Sequence, residues 1–376
     1  MRTKNTSADI KHRNKIAVFR KLIELKETTK PELAQETRIS LPTVGQIVQE
    51  LQESGLVEEA GKAVSVGGRR AATLRVVSRT WVALGIDITS HHIGFSLVDL
   101  TGEVLCFERS EAVFETGSAY EALVLEKMDR FLEANGFGRD QLVGVGLSFA
   151  GIVGPDHKSL CNFKRTNYEN RLVVVREENF PCPMRYFNDA TAACMVECYS
   201  DNAPDTFAFL SLSNPVGGAL VVDRKIVDGV HRRCGEFGHM TIVPKGRKCY
   251  CGMYGHYDPY GAAYLLAEKA GGDLAAFFAR LSAGDPELEA VLEEYLDDLA
   301  LVLCNIIMAN DSPVIIGGYV GNHLEPYLER LRSKVCAMDP FMAMSSDVGL
   351  RTCHRKEEAA ATGCAMYFLE QLIENL

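Results

Sequence analysis

The apolar residues change their spacing near Trp81, and that change restricts the 376-residue chain to two unlike parts. Before it they recur at three and four residues. Ile16, Phe19, Leu22 and Ile23 fall on one helical face. Thr29-Lys30-Pro31-Glu32 has the form of a capping box with proline tolerated in the first turn, and Leu33 and Ala34 carry that short helix towards Arg38. Ser40-Leu41-Pro42-Thr43 is a second capped start. It leads a helix with Val44, Ile47, Val48 and Leu51 at i, i+3, i+4 and i+7, ended near Ser54-Gly55. After Trp81 the texture is strand-like: residues 82–88, 92–99 and 103–108 form an antiparallel series, followed by a helix near 120–135 and a strand over 142–148. A second series opens near Phe207 and runs into Gly217-Gly218. Two related lobes imply a cleft, where ligands usually sit.

The first part has the order of a helix-turn-helix, whose third helix enters the major groove N-terminal end first. With the apolar set turned to a small core, Ser40, Thr43, Gln46 and Gln49 are left for DNA. Two β-capable segments, 63–66 and 73–77, flank Gly67-Gly68-Arg69-Arg70. That is a wing tip whose arginines suit phosphates or a narrow minor groove. Charge agrees: residues 1–75 hold 14 Lys/Arg and 9 Asp/Glu, a net of +5, within a chain of net −10. A basic head on an acidic body fits a polyanion met by the head alone. A helical module that binds protein is the competing reading.

No apolar stretch is long enough for a membrane span, and the charges of the N-terminus are not followed by the apolar run of a secretory signal, so a cytoplasmic address is expected. Most of the twelve cysteines, such as Cys194, Cys304 and Cys364, stand in apolar helical contexts and read as reduced core residues. Only Cys249 and Cys251 are close enough to share chemistry.

Four stretches of the second part carry a resemblance: 144–151 (GVGLSFAG), 188–193 (NDATAA), 235–240 (GEFGHM) and 249–252 (CYCG). With the Gly-Gly-Arg wing they resemble the ROK family of repressors and sugar kinases over nearly the whole chain. The resemblance implies an α/β fold, a winged helix-turn-helix over residues 1–78 followed by a two-lobed actin-like ATPase (ribonuclease H-like) ROK domain. Lobe 1 would span 79–200, completed by a C-terminal helix at 355–376, and lobe 2 would span 201–354. It also implies a structural zinc ion on His239, Cys249, Cys251 and His256, a donor set that satisfies a tetrahedral ion and leaves no open position. His256 stands where the family has a third cysteine.

By the same resemblance, Asn188 and Asp189 would grip one edge of a sugar and Glu236 and His239 another, with Gly151, Asn162 and Asp258 lining the cleft. His239 would give one ring nitrogen to zinc and the other to a sugar hydroxyl. Lys164 and Arg165 would favour a phosphorylated sugar if they face the cleft, and read otherwise as a solvated loop.

Asp189 matches the general base of ROK sugar kinases, yet phosphoryl transfer depends on the phosphate loops. Here the first loop reads Asp87-Ile88-Thr89-Ser90-His91-His92, without the family's glycines, and in the second Pro215 removes a backbone donor. Gly317-Gly318 survives, though glycines after a strand also make ordinary turns. The expected function is therefore a sugar-responsive, non-catalytic repressor of carbohydrate metabolism genes. It would bind operator DNA as a homodimer or tetramer; the resemblance implies induction by release, while the sequence itself does not encode the sign of the response. A kinase that also binds DNA is the alternative.

Overall fold

Thr6 caps the first helix, α1 (Ser7–Leu25): its hydroxyl accepts from Asp9 N at 3.2 Å and its own N–H donates to the Asp9 carboxylate at 2.8 Å. This box starts the helix well before Ile16, the first apolar residue of the sequence pattern. The computed structural model describes residues 6–62, 72–161, 172–200, 202–339, 341 and 349–376. Next come β1 (Glu27–Thr29), α2 (Lys30–Thr37) and α3 (Leu41–Glu53). The Thr29 hydroxyl caps α2, but Glu32 takes the Thr28 hydroxyl at 2.8 Å instead of closing the expected box. Ser40 caps α3. The strands β2 (Val57–Lys62) and β3 (Ala72–Val76) complete a small antiparallel sheet in the order β1-β3-β2. Residues 63–66 and the tip with Arg69 and Arg70 lie outside the described residues.

The two lobes repeat one topology. In the first, β4 (Val82–Ile88), β5 (His92–Asp99) and β6 (Val104–Glu111) form an antiparallel meander, and α4 (Ser118–Ala134) leads to β7 (Leu142–Phe149), parallel to β4. A hairpin of β8 (Ile152–Val153) and β9 (Leu160–Cys161) precedes β10 (Met184–Asn188), parallel to β7, and α5 (Asp189–Cys198) follows. In the second, β11 (Phe207–Ser211), β12 (Gly217–Val222) and β13 (Lys225–Ile226) form the meander. The short α6 (Asp258–Gly261) and α7 (Tyr264–Ala267) lead to α8 (Leu274–Ser282) and α9 (Pro286–Asn310). Then β14 (Val314–Gly317), the turn α10 (Gly318–Gly321), α11 (Leu328–Met338), β15 (Leu350–Thr352) and α12 (Ala359–Glu374) close the chain. The sheet orders, β6-β5-β4-β7-β10 and β13-β12-β11-β14-β15, correspond strand for strand.

The last helix of each lobe lies across the other lobe. Ala193, Cys194 and Val196 of α5 bury against Phe207, Phe209, Ala219 and Val221 of the second sheet. Cys364, Ala365, Phe368 and Leu369 of α12 bury against the first sheet and against Ala192 and Met195 of α5. Each large apolar side chain so buried stabilises by about 1.5–3 kcal/mol. The approach is close enough to require glycine: a Cβ on Gly85 would lie 1.7 Å from the Ala361 carbonyl oxygen, and one on Gly363 would lie 1.8 Å from that of Ala192. The sheets and the α5–α12 pair therefore meet backbone to backbone.

The head shares that core. Val18, Phe19 and Leu22 of α1 belong to one buried cluster with Phe368, Leu369 and Ile373 of α12. At its edge the Arg20 guanidinium grips both oxygens of Glu370, and a His12 ring nitrogen lies 3.0 Å from the Leu376 carbonyl oxygen. No helix among the described residues is long and apolar enough to cross a membrane.

Candidate functional site

The turn from β10 into α5 brings Asn188 and Asp189 to the floor of a cavity of about 1130 Å³ between the lobes. Gly151, Glu236, His239 and Asp258 line the same cavity, while Asn162, Lys164 and Arg165 lie outside the described residues. Two of the expected contacts are already partly used. Asn188 Oδ1 caps α5 by accepting from Thr191 N at 3.0 Å, and its Nδ2 donates to the Gly151 carbonyl at 3.2 Å, leaving one N–H for a ligand. Asp258 Oδ1 accepts from Val216 N at 2.8 Å, so one oxygen pins the Pro215 loop and the other is left over. Asp189 is different. Burial, and then the neighbouring Asp87 carboxylate, push its acid up to about 7. Burial likewise raises Glu236.

The zinc-type donors converge. Residues 247–255 fold as a tight hairpin in which Cys249 N donates to the Met253 carbonyl at 2.8 Å and Gly255 N to that of Arg247 at 2.8 Å. His239 Nδ1 lies 3.2 Å from His256 Nδ1 and 3.8 Å from Cys249 Sγ, and Cys251 Sγ lies 3.3 Å from His256 Nδ1. All four donor atoms fall within 4.8 Å of one another. A tetrahedral ion with Zn–S near 2.3 Å and Zn–N near 2.0–2.1 Å has edges of about 3.3–3.8 Å, so the residues fit. Burial raises the Cys249 thiol to about 11 and, with His256, lowers His239. A divalent cation is what such a cluster needs to hold thiolates.

The other nitrogen of His239, Nε2, does point away from the cluster, but it meets the Tyr250 hydroxyl at 3.0 Å, with Glu236 Oε2 at 3.9 Å. Tyr250 stands between the two cysteines, and its aim was not legible from their spacing.

Asp189 also lines a second, smaller cavity of about 90 Å³, together with Asp87, Thr89, Ser90, Ser213, Asn214 and Tyr319 among others. The Asp87 carboxylate accepts from the Ser148 hydroxyl and is raised by burial. Across the mouth, Arg109 of β6 donates to the Tyr319 hydroxyl at 3.1 Å and stacks over its ring at 5.4 Å. Gly318 holds φ +80°, where a Cβ would lie 2.6 Å from Leu212 N, so its turn needs glycine with no phosphate present.

In the head, Gln46 is exposed on α3 and bonds Glu50 at 3.3 Å, while the Ser40 and Thr43 hydroxyls share a 2.8 Å hydrogen bond at the helix start. Arg38, at φ +57° between α2 and α3, is exposed with no ion pair among the described residues.

A two-lobed α/β frame with a Cys/His cluster beside an acid-lined cleft defines a class, and residues 83–371 match the ROK family: the chain belongs to it. Among its relatives, the DNA-binding transcriptional dual regulator NagC of Escherichia coli is 25% identical over 264 residues, covering 69% of this chain and 65% of that protein. The chain thus matches just under two thirds of NagC's length. The xylose repressor of Caldicellulosiruptor bescii is 22% identical over 97% of both chains. A crystal structure of a ROK family transcriptional regulator, a homologue of E. coli MLC protein, superposes with a TM-score of 0.73 at 18% identity, covering 97% of this chain and 98% of its own.

Proposed function

We propose that this chain is a sugar-responsive transcriptional repressor of carbohydrate metabolism genes. Residues 1–78 form the winged helix-turn-helix that reads operator DNA, and the cleft between residues 79–200 and 201–354 takes the sugar. The names of the relatives support a repressor, and one observation carries the mechanism. The helix that begins at the cleft floor, α5, packs on α12, and α12 shares its core with α1 of the head. A sugar that fits only the closed cleft stabilises one arrangement of the two lobes. Because α5 and α12 each cross to the opposite lobe, closure turns this pair and carries α1 with it through Arg20–Glu370. In a homodimer, or a tetramer of such dimers, the heads must stand about 34–36 Å apart, or a multiple, to meet successive half-sites. Rotation of the heads breaks that match and releases the operator.

His239, Cys249, Cys251 and His256 would hold a zinc ion as a closed structural site, supplying a cross-link and no reactive position. Coordination through Nδ1 leaves Nε2 of His239 as a donor, and a sugar hydroxyl would take the place of Tyr250 there. Asp189 and Glu236 accept from sugar hydroxyls, and the remaining Asn188 N–H donates.

A second reading, a DNA-binding sugar kinase, draws on Asp189, whose near-neutral acid suits a general base. Against it, the first phosphate loop lacks the family's glycines and Pro215 removes a backbone donor from the second, which supports Asp189 as a ligand alone.

The test is an operator titration by fluorescence anisotropy across a sugar panel, with Glu236→Ala beside the wild type. The variant should hold operator normally and fail to respond to the sugar. An unaltered response removes Glu236 from the site. ATP-dependent product in a coupled assay that vanishes in Asp189→Ala would establish the kinase instead.

A further inference from the structure

The cavity is larger than the roughly 300–1,000 Å³ usual for small-ligand sites, and one of its walls is built of cations that the sugar contacts do not use. Arg185 of β10 and Arg232 both reach the same nitrogen of His157: Arg185 Nη2 at 2.9 Å and Arg232 Nη2 at 3.0 Å from Nε2. The two guanidiniums are therefore no more than about 6 Å apart, a span that one tetrahedral anion bridges. Among the described residues neither forms an ion pair with a carboxylate; Arg232 donates to the Gly154 carbonyl at 3.0 Å and Arg185 to the Tyr367 hydroxyl at 2.9 Å. Asp156 and Asp228 are the acids whose fields reach His157.

The imidazole is no counter-ion. Burial, then the two arginines, lower His157 to about 4, so it is neutral and offers a single lone pair to two cations. Arg185 Nε is buried with no hydrogen-bond partner. Native structures seldom leave a buried charged donor in that state without a ligand to complete it. Two strand residues separate Arg185 from Asn188, about 10 Å along β10, and Arg185, Arg232, Asn188 and Asp189 all line the one cavity.

We infer that the effector is a sugar phosphate, its ring held by Asn188, Asp189 and Glu236 and its phosphate by Arg185 and Arg232. This rests on the sugar-cleft reading and adds the substrate class. It also places the charged end of the ligand on Arg185, whose partner Tyr367 lies one helical turn from Glu370, the residue that grips the head.

The test uses the full-length, metal-loaded protein and calorimetry. The probes are hexose and hexosamine 6-phosphates, pentose 5-phosphates, the parent sugars and inorganic phosphate. One phosphorylated sugar should bind at least tenfold more tightly than its parent, as two charge-assisted hydrogen bonds imply, and inorganic phosphate should bind far more weakly than either. Arg185→Gln/Arg232→Gln should erase the difference between ester and parent while keeping the parent's own affinity; that retained affinity shows the variant to be folded. A parent sugar that binds as tightly as its ester overturns the phosphate assignment and leaves the sugar cleft standing. Binding of inorganic phosphate as tight as any ester overturns it too, since the arginines would then serve an anion alone. No binding by any sugar or ester overturns both.

Discussion

Asp189→Asn should make the protein more stable at alkaline pH while abolishing its response to sugar. Burial and the neighbouring Asp87 raise the Asp189 acid from 3.8 to about 7, so the folded protein holds a proton that the unfolded chain has released. The sign follows from linkage: where the folded state binds more protons, stability falls as pH rises, here between about 4 and 7. At about 1.36 kcal/mol per unit, carrying the ionised carboxylate at pH 8 costs on the order of 4 kcal/mol, and at pH 5 less than half of that. Asparagine has the shape of the protonated acid and never ionises. The advantage of the variant should therefore widen by about 2–3 kcal/mol between pH 5 and pH 8, or about 5–10 °C in midpoint for a unit of lobe size. Scanning calorimetry of both proteins at the two pH values reads this directly, and comparison within each pH cancels the titration of the metal cluster. Equal midpoints at pH 8, or an advantage of the same size at both, would refute the placement of Asp189 as a buried acid beside a second carboxylate.

Two further substitutions separate the metal cluster from the DNA surface. Cys251→Ser, or chelation of the wild type, should reduce bound zinc from one ion per chain and abolish sugar binding measured by calorimetry, because His239 then loses its fixed ring; intact sugar binding in the stripped protein would detach the cluster from the cleft. Gln46→Ala should weaken operator binding by about 1–3 kcal/mol in an anisotropy titration, and Arg69→Ala/Arg70→Ala should lower its salt slope, with sugar affinity unchanged in both.

What the sequence disclosed was mostly local. The apolar periodicity of 44–51 and the caps at Thr29 and Ser40 lie within a few residues of one another, and the helices α2 and α3 follow them. The ligand set His239, Cys249, Cys251 and His256 spans only 18 residues, and its atoms come together. Contacts between distant segments left no such mark. Arg109 and Tyr319 are 210 positions apart, and nothing in either neighbourhood marks them as partners across the cleft. Arg185 alternates with Tyr186 on a strand, so its exposure to the cavity depends on which face of β10 is covered. The exchange of α5 and α12 between lobes rests on Gly85 and Gly363, which read in sequence as ordinary breaks in strand and helix. Asn188 and Asp258 were legible as cleft residues, but their hydrogen bonds to Thr191 and Val216 are set by the backbone of the turns that hold them.

The coupling of cleft and head is tested most directly by the effector's affinity, taken by calorimetry for the free protein and for the protein saturated with operator. Linkage requires the operator to weaken the effector by the same factor as the effector weakens the operator, and a coupling of 1–3 kcal/mol makes that about 5–150-fold. Matching factors within this range are the predicted result. Identical effector affinity with and without DNA would contradict the account, whatever each site binds alone.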